Sequence, residues 1–425
     1  MNPALDQQFQ RLLQDHPKGI PFRIAMEQAL YGPDDAGYYS SGRASVGKGG
    51  DFATSVSIGA IFGKLLARHV AEVWEALGSP DRMAIIEQGA NDGRMMADIL
   101  SGLSELECAD TVFEPVFVEP IEALRDTQQS TLQTHCAPGF SSVRLKAPRW
   151  VVGVSDLTET DLPAGIFLCN ELIDAFPVDR LRKIGSERYE YQVIVRDSTK
   201  GSDGWKFDWI SLPQYDPRYQ ESVQLDSEHG WPDTPEPAHE FELRSAATQW
   251  IRELANSAFR GHALIIDYGF AARDAFHSSR SCGTLQAYRD HQTIDIDDCP
   301  DQLGDCDLTT HIDFTQLVRQ GAPEFEICGF ANQGTFLTKL AAPWLLELER
   351  GALTSMESID KAESMAAEMR QFQTLTHPGM MGGKFQMLGL WSRDVETSSE
   401  RPDLSGFAPG NNRSAKQAAQ RALLD

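Results

Sequence analysis

Residues 83–103 combine a buried strand, a glycine turn and an amphipathic helix in direct succession. The strand is Met83–Glu87, and the turn runs from Gly89 to Gly93. The helix that follows places its apolar residues on one face, at Met95, Met96, Ile99, Leu100 and Leu103. A strand, a tight turn and a helix in this order are typical of an α/β fold.

The same alternation of short apolar runs and helices continues along the chain. Further candidate strands are Val116–Glu119, Trp150–Val154, Gly165–Cys169 and Ala263–Asp267. A long amphipathic helix over Ser57–Leu77 precedes the first strand. This pattern predicts a mainly parallel, doubly wound sheet with right-handed crossovers and helices on both faces.

Composition and charge exclude several classes of function. The 425 residues are 41% hydrophobic and 24% charged, which is typical of a globular protein. The 38 Lys and Arg residues face 62 Asp and Glu residues, a net charge of -24. Such a field repels nucleic-acid phosphates and anionic lipid surfaces, so we expect neither a nucleic-acid nor a membrane partner.

The cysteines and the amino-terminal residues bear on location. Seven cysteines form no C-x-x-C pair and are odd in number, which argues against a zinc ribbon and a secreted disulfide framework. No apolar run approaches the roughly 20 residues of a membrane helix, and the first residues are acidic where a signal or transit peptide is basic. We therefore expect a cytoplasmic protein with reduced thiols.

The periodicity also predicts an order of domains. We expect an N-terminal helical cap over residues 1–80 and a doubly wound core over 81–391. The core carries insertions at about 182–242 and 271–323, because both stretches interrupt the strand–helix alternation. Residues 392–425 lack apolar periodicity over most of their length, which predicts a flexible C-terminal tail.

The candidate site lies at the carboxyl ends of the predicted strands, where open α/β sheets bind ligands. The residues there are mostly acidic or small and polar: Glu87, Gly89, Asn91, Gly93, Glu119, Asp156, Asn170, Glu171 and Asp267. Gly89 and Gly93 permit a tight turn, and free amides at the start of the next helix can bind a carboxylate.

Two features of this turn separate the candidate ligands. Asn91 and Arg94 stand where the dinucleotide fingerprint needs small residues, which disfavours close approach of a pyrophosphate. Glu119 lies 26 residues beyond Gly93, where a carboxylate accepts hydrogen bonds from ribose hydroxyls. Several carboxylates without a phosphate-binding lysine favour the cationic S-adenosylmethionine over NAD, although a nucleotide-dependent oxidoreductase stays as an alternative.

A metal site is the less favoured interpretation of another cluster. Asp307, His311 and Asp313 have the chemistry of metal ligands, but no further His or Cys stands nearby in the sequence. Thr309–Phe314 also has the pattern of a strand start, so a hydrogen-bonded structural cluster is the favoured interpretation and we expect no metal.

Several sequence blocks carry a family resemblance that spans Ile20 to Trp391. They are Tyr31–Tyr39, Gly49–Ser55, Glu87–Gly93, Val118–Pro120, Asn170–Val178, Asp267–Gly269, Gly283–Arg289, Asp307–Phe314, Gln333–Leu337 and Met381–Gly382. Their order resembles the MidA-type family of S-adenosylmethionine-dependent methyltransferases, which includes a mitochondrial complex I assembly protein-arginine methyltransferase. The family usually has glycine where this chain has Asn91, a residue that tolerates left-handed backbone better than most.

The resemblance implies a class I, Rossmann-like methyltransferase core and a set of roles for named residues. The glycine turn would hold the methionine part of S-adenosylmethionine and Glu119 its ribose, while Asp51, Phe52 and Thr54 would close over the cofactor. The cofactor-binding set is Asp51, Phe52, Thr54, Glu87, Gly89, Asn91, Gly93, Glu119, Asp156 and Asn170. The catalytic set is Asn170, Glu171, Asp174 and His311, with a carboxylate or His311 taking the released proton.

The resemblance further implies in-line methyl transfer to an arginine of a protein substrate, because carboxylates suit a guanidinium. A respiratory complex subunit, and hence respiratory complex assembly, is the candidate target, and a homodimer is the candidate oligomer. The alternative is a non-catalytic assembly factor that keeps the methyltransferase fold as a binding platform for a partner protein.

Overall fold

The computed structural model describes residues 2–42, 54–106, 111–135, 143–158, 162–194, 204–229, 238–275, 280–289, 292–298, 300–354, 359–395, 403–409 and 414–424. The chain divides into two compact units. Unit one comprises Met1–Ala53, Ile173–Gln249 and Gly269–Asp313. Unit two comprises Thr54–Leu172, Trp250–Tyr268 and Phe314–Asp425.

The strands and helices of the described residues are as follows. The strands are β1 (Ile20–Pro21), β2 (Arg82–Gln88), β3 (Val112–Val118), β4 (Arg144–Leu145), β5 (Arg149–Val151), β6 (Gly165–Asn170), β7 (Asp179–Ile184), β8 (Glu187–Ile194), β9 (Lys206–Ser211), β10 (His239–Leu243), β11 (Gly261–Phe270), β12 (Gln286–Arg289), β13 (Gln292–Ile294), β14 (Asp307–Thr309), β15 (Ile312–Asp313), β16 (Phe325–Asn332) and β17 (Phe385–Ser392). The helices are α1 (Pro3–Asp15), α2 (Phe22–Tyr31), α3 (Ser55–Ile58), α4 (Ile61–Ala76), α5 (Arg94–Ser104), α6 (Glu122–His135), α7 (Pro217–His229), α8 (Ser245–Asn256), α9 (Ala272–Ala275), α10 (Phe314–Gly321), α11 (Gln333–Leu340), α12 (Ala342–Thr354), α13 (Ile359–Thr376) and α14 (Ala415–Leu423). Within these ranges, no helix combines the length and the apolar composition needed to cross a bilayer.

Unit two is built on a mixed sheet with the strand order β16-β17-β11-β6-β2-β3-β4. Strands β11, β6, β2, β3 and β4 pair in parallel, and β17 is antiparallel to both of its neighbours. The chain leaves β2 for β3 and β4 on one side and returns to β6 and β11 on the other. The sheet is therefore doubly wound, as predicted, and its order reverses between β2 and β6.

The core of unit two forms where amphipathic helices meet this sheet. The apolar faces of α4 and α5 pack on each other and bury Phe62, Leu66, Met96 and Ile99. Their spacing of three and four residues is what the sequence predicted. Each of these side chains contributes about 1.5–3 kcal/mol by leaving water.

Two buried histidines of unit two make its stability depend on pH. The His69 and His262 rings are fully buried and lie 4.9 Å apart between centroids. Burial lowers the pKa of His69 to about 3 and holds that of His262 well below its usual value. The His69 ring is therefore neutral in the folded protein at pH 5, where the unfolded chain binds protons, and burial disfavours protonation of His262 in the same direction.

We expect the free energy of unfolding to fall with pH below about 6.5, and His69→Leu to reduce that fall by about 2 kcal/mol between pH 7.5 and 5. The sign follows because a histidine whose pKa is lowered by folding makes its full contribution to stability above about pH 6.5. This contribution is lost as the pH falls and the unfolded state binds a proton. Urea unfolding at the two pH values measures it, with the exposed His135→Leu as control. An equal fall in wild type and His69→Leu would contradict the assignment.

Unit one is built from two antiparallel sheets. Strands β1, β8, β7 and β10 form one sheet in that order, with β9 also on β8, and β13, β12 and β14 form the other. Strand β1, which lies in the expected helical cap, pairs with β8, which lies in the expected insertion at 182–242. The expected boundary between cap and core at residue 80 therefore differs from the division into two units, because strand pairing joins residues far apart in sequence.

The C-terminal residues also differ from the flexible tail that we expected over 392–425. Helix α14 packs on β16 and buries Ala415, Ala419 and Leu423. Phe407 is buried against Phe336, with ring centroids 4.8 Å apart. The described part of this segment is held by a few well-spaced apolar residues among many polar ones, a pattern that overall composition conceals.

Candidate functional site

The candidate site of unit two lies at the carboxyl edge of its parallel strands. Glu87 stands near the end of β2, Glu119 follows β3, and Glu171 follows β6, while Asp267 lies in β11. Because parallel strands present their carboxyl ends at one edge, these carboxylates share the edge where the strand order reverses. The sequence predicted this set of residues.

The turn between β2 and α5 depends on left-handed backbone at three positions. The φ angles are 72° at Gly89, 47° at Asn91 and 80° at Gly93. Asn91 thus adopts the conformation that we expected it to tolerate. A Cβ at Gly93 would lie 3.2 Å from the Cα of Gln128, so this glycine also allows a close approach of α6 to the turn.

Glu87 is a buried carboxyl with unused hydrogen-bonding capacity. Its exposed fraction is 2%, and its Oε2 has no hydrogen-bond partner among the described residues. Burial, with Asp92 next in effect, raises the pKa of Glu87 to about 8. A cationic or hydrogen-bond-donating ligand at this edge would satisfy the atom and stabilise its ionised form.

Glu119 is held rigidly at the end of β3. Its Oε1 accepts a hydrogen bond from the backbone N–H of Ile121 at 3.0 Å, and its Oε2 accepts one from Nε2 of Gln128 at 3.0 Å. Burial raises the pKa of Glu119 above its usual value. Each carboxylate oxygen carries a second lone pair, so the fixed carboxylate can still accept hydrogen bonds from two hydroxyls.

Sequence reasoning missed Gln128. Its side chain is fully buried, although the rest of α6 is largely polar. The only available signal was its spacing, because Leu124, Gln128 and Leu132 follow each other at four-residue steps. A fully buried amide on this helix indicates a specific hydrogen-bonding role.

Asn170 and Glu171 form a small hydrogen-bonded unit at the end of β6. The Nδ2 of Asn170 donates to Oε1 of Glu171 at 3.0 Å, and the hydroxyl of Tyr268 donates to Oε2 of Glu171 at 3.4 Å. Oδ1 of Asn170 is buried without a hydrogen-bond partner in the described chain. Glu171 has a φ of 51°, a backbone strain that is common at functional sites.

Thr54 and Asp156, two further predicted cofactor residues, make hydrogen bonds to nearby backbone. Oγ1 of Thr54 caps α3 by accepting from the N–H of Ser57 at 3.2 Å. Asp156 is exposed, and its carboxylate accepts from the N–H of Gly153 at 2.9 Å. Asp51 and Phe52 lie outside the described residues. The roles of all four stay predictions.

Two predicted catalytic residues belong to unit one. Asp174 is buried with an exposed fraction of 5%, and its carbonyl accepts from the N–H of Thr310 at 2.8 Å. Burial first, and then Arg244, lowers the pKa of His311 to about 4, so its ring is neutral near pH 7. Their roles also stay predictions.

Asp307 belongs to the cluster of unit one that has the chemistry of metal ligands. Among the described residues, no group of three or more His, Cys, Asp and Glu side chains could hold a metal ion. Asp307 instead accepts a hydrogen bond from the hydroxyl of Tyr39 at 2.9 Å.

The residues of unit two fit the donor expected from the sequence. The unpaired oxygen of Asn170 is a hydrogen-bond acceptor, that of Glu87 becomes one when a bound cation favours its ionised form, and Glu119 can accept two hydroxyls. A ligand with an ammonium, a ribose and a positive charge supplies the groups that these acceptors need. The acceptors of unit two therefore fit the chemical groups of S-adenosylmethionine.

Comparisons with known proteins agree with this chemistry. A family model described as an S-adenosyl-L-methionine-dependent methyltransferase matches residues 65–331. Protein arginine methyltransferase NDUFAF7, mitochondrial, of Mus musculus is 28% identical over 390 residues, covering 87% of this chain and 81% of the relative. Its homolog in Drosophila melanogaster is 25% identical, with 92% and 85% covered.

A solved structure is similar over almost the whole chain. A protein from Burkholderia thailandensis, crystallised with S-adenosylhomocysteine, superposes with a TM-score of 0.75 and is 25% identical. The match covers 96% of this chain and 95% of that one.

One expectation is contradicted by these comparisons. We expected a cytoplasmic protein, but the relatives in Drosophila, mouse and human are named as mitochondrial proteins. The acidic amino-terminal residues on which the expectation rested do not outweigh similarity over most of the chain.

Proposed function

This chain belongs to a family of S-adenosyl-L-methionine-dependent methyltransferases, and we propose that it methylates the guanidinium of an arginine in a protein substrate. The family resemblance, the class I methyltransferase fold and S-adenosylmethionine as cofactor are confirmed by the comparisons. The protein substrate, the arginine and the residue roles are our proposal. Relatives named protein arginine methyltransferase support it.

The observation that carries the proposal is the oriented carboxylate of Glu171. Both of its oxygens accept hydrogen bonds, from Asn170 and from Tyr268, and its backbone is held in the left-handed region. A carboxylate fixed in this way can pair bidentately with a planar guanidinium, which a flexible surface glutamate does poorly.

The proposed roles divide donor binding from acceptor binding. The cofactor supplies an electrophilic methyl group on a positively charged sulfur. The β2–α5 turn and Glu87 hold the amino-acid end, and Glu119 holds the ribose through its two free lone pairs. Glu171 would orient the guanidinium so that one of its nitrogens can form a bond to the methyl carbon as the carbon–sulfur bond breaks, and a carboxylate of the site would take the proton that this nitrogen releases.

Label transfer tests the proposal. The full-length protein is incubated with S-adenosylmethionine carrying a radioactive methyl group and with lysate from host cells that lack this protein, so that its acceptor is unmethylated. We expect label on a protein, and mass spectrometry to place the added methyl on arginine. Label on lysine, on a carboxyl group or on a small molecule would overturn the arginine assignment.

The same experiment distinguishes the non-catalytic alternative. A non-catalytic binding platform would transfer no label in any lysate. Its binding to a partner protein would not depend on whether it can bind S-adenosylhomocysteine. Gly93→Val serves as the matched variant, because a β-branched residue is strained at a φ of 80° and its Cβ meets Gln128. If this variant loses cofactor binding but keeps its cellular role, the platform interpretation is the correct one.

A further inference from the structure

The buried side chain of Gln128 connects three parts of unit two that lie far apart in sequence. Its Nε2 donates to the carbonyl oxygen of Asn91 at 3.0 Å and to Oε2 of Glu119 at 3.0 Å. Its Oε1 accepts from the indole N–H of Trp150 at 2.8 Å. Both amide hydrogens and one lone pair are therefore used, which fixes the orientation of the amide.

We infer that Gln128 is a positioning residue for the cofactor, acting through Glu119 and the Asn91 carbonyl. This inference rests on the proposed role of Glu119 in binding the ribose. The donated hydrogen occupies one lone pair of Oε2, so the other lone pair is directed away from α6. The same amide holds the turn at Asn91, so one side chain sets the spacing between the two parts of the donor site.

Packing around Gln128 restricts the position of its amide. Gln128 is fully buried, and Gly93 leaves space for it, since a Cβ there would come within 3.3 Å of the Gln128 Cβ. Trp150 is itself stacked on Phe117 with ring centroids 5.5 Å apart, which fixes the indole donor. Leaving this buried amide without its acceptors is unfavourable, so packing and hydrogen bonding together favour the observed arrangement.

Calorimetric titration of S-adenosylhomocysteine into the full-length protein tests the inference. We expect Gln128→Met, which keeps the volume but removes all three hydrogen bonds, to raise the dissociation constant about tenfold or more. The matched control is Gln129→Met on the exposed side of the same helix, for which we expect wild-type affinity. Gln128→Glu is the second variant if Gln128→Met fails to fold, and it should also bind more weakly because it puts a carboxyl against Glu119.

A double-mutant cycle separates positioning from a general loss of structure. If Gln128 acts through Glu119, adding Gln128→Met to Glu119→Gln should cost much less than it does in the wild type. Full additivity, or wild-type affinity in Gln128→Met, would overturn the inference. An unchanged affinity in Glu119→Gln alone would instead overturn the proposed donor site, so the two failures are distinguishable.

Discussion

Glu171→Gln should lower the rate of methyl transfer by about 10²–10⁴-fold and leave the affinity for S-adenosylhomocysteine unchanged. The amide keeps the size of the side chain but loses the negative charge that pairs with a guanidinium. Because Asn170 and Tyr268 both donate to the carboxylate, the substituted amide also places an NH₂ group against one donor. The measurement is label transfer to the acceptor identified in lysate, alongside calorimetry.

The matched control is Glu122→Gln, an exposed glutamate in the first turn of α6 that should keep full activity. Thermal unfolding checks that both variants are folded, which matters most for Glu171→Gln because the backbone at position 171 is strained. Full methyl transfer by Glu171→Gln would contradict the proposed acceptor site. Loss of cofactor affinity together with activity would mean that Glu171 serves the donor instead.

Glu119→Gln should raise the dissociation constant of S-adenosylhomocysteine by about 100-fold or more. Two charge-assisted hydrogen bonds to ribose hydroxyls become neutral, and the new amide faces the donors of Ile121 and Gln128. Calorimetry measures the affinity, and Glu122→Gln again controls for the loss of a negative charge nearby. Wild-type affinity in Glu119→Gln would show that the ribose is bound elsewhere.

Local patterns predicted the parts of the fold and site that depend on neighbouring residues. The strand, turn and helix around β2 and α5 follow from periodicity and glycine, and the same alternation located the ends of β3 and β6. The acidic residues at these ends are therefore identifiable as site candidates from the sequence alone.

What could not be predicted depends on contacts between distant segments. The amide of Gln128 meets Asn91, Glu119 and Trp150 only after α6 packs against the turn, and Thr54 turns out to cap a helix. The pairing of β1 with β8 and the packing of α14 on β16 are likewise tertiary. Periodicity within one segment carries no information about these partners.

A crystal structure of this protein with S-adenosylhomocysteine would show directly where the donor binds. We predict both ribose hydroxyls within about 2.6–3.2 Å of the Glu119 carboxylate oxygens, with the amino-acid end at the turn from Gly89 to Gly93. A ligand seated away from the ends of β2 and β3, or a ribose without contact to Glu119, would contradict the account.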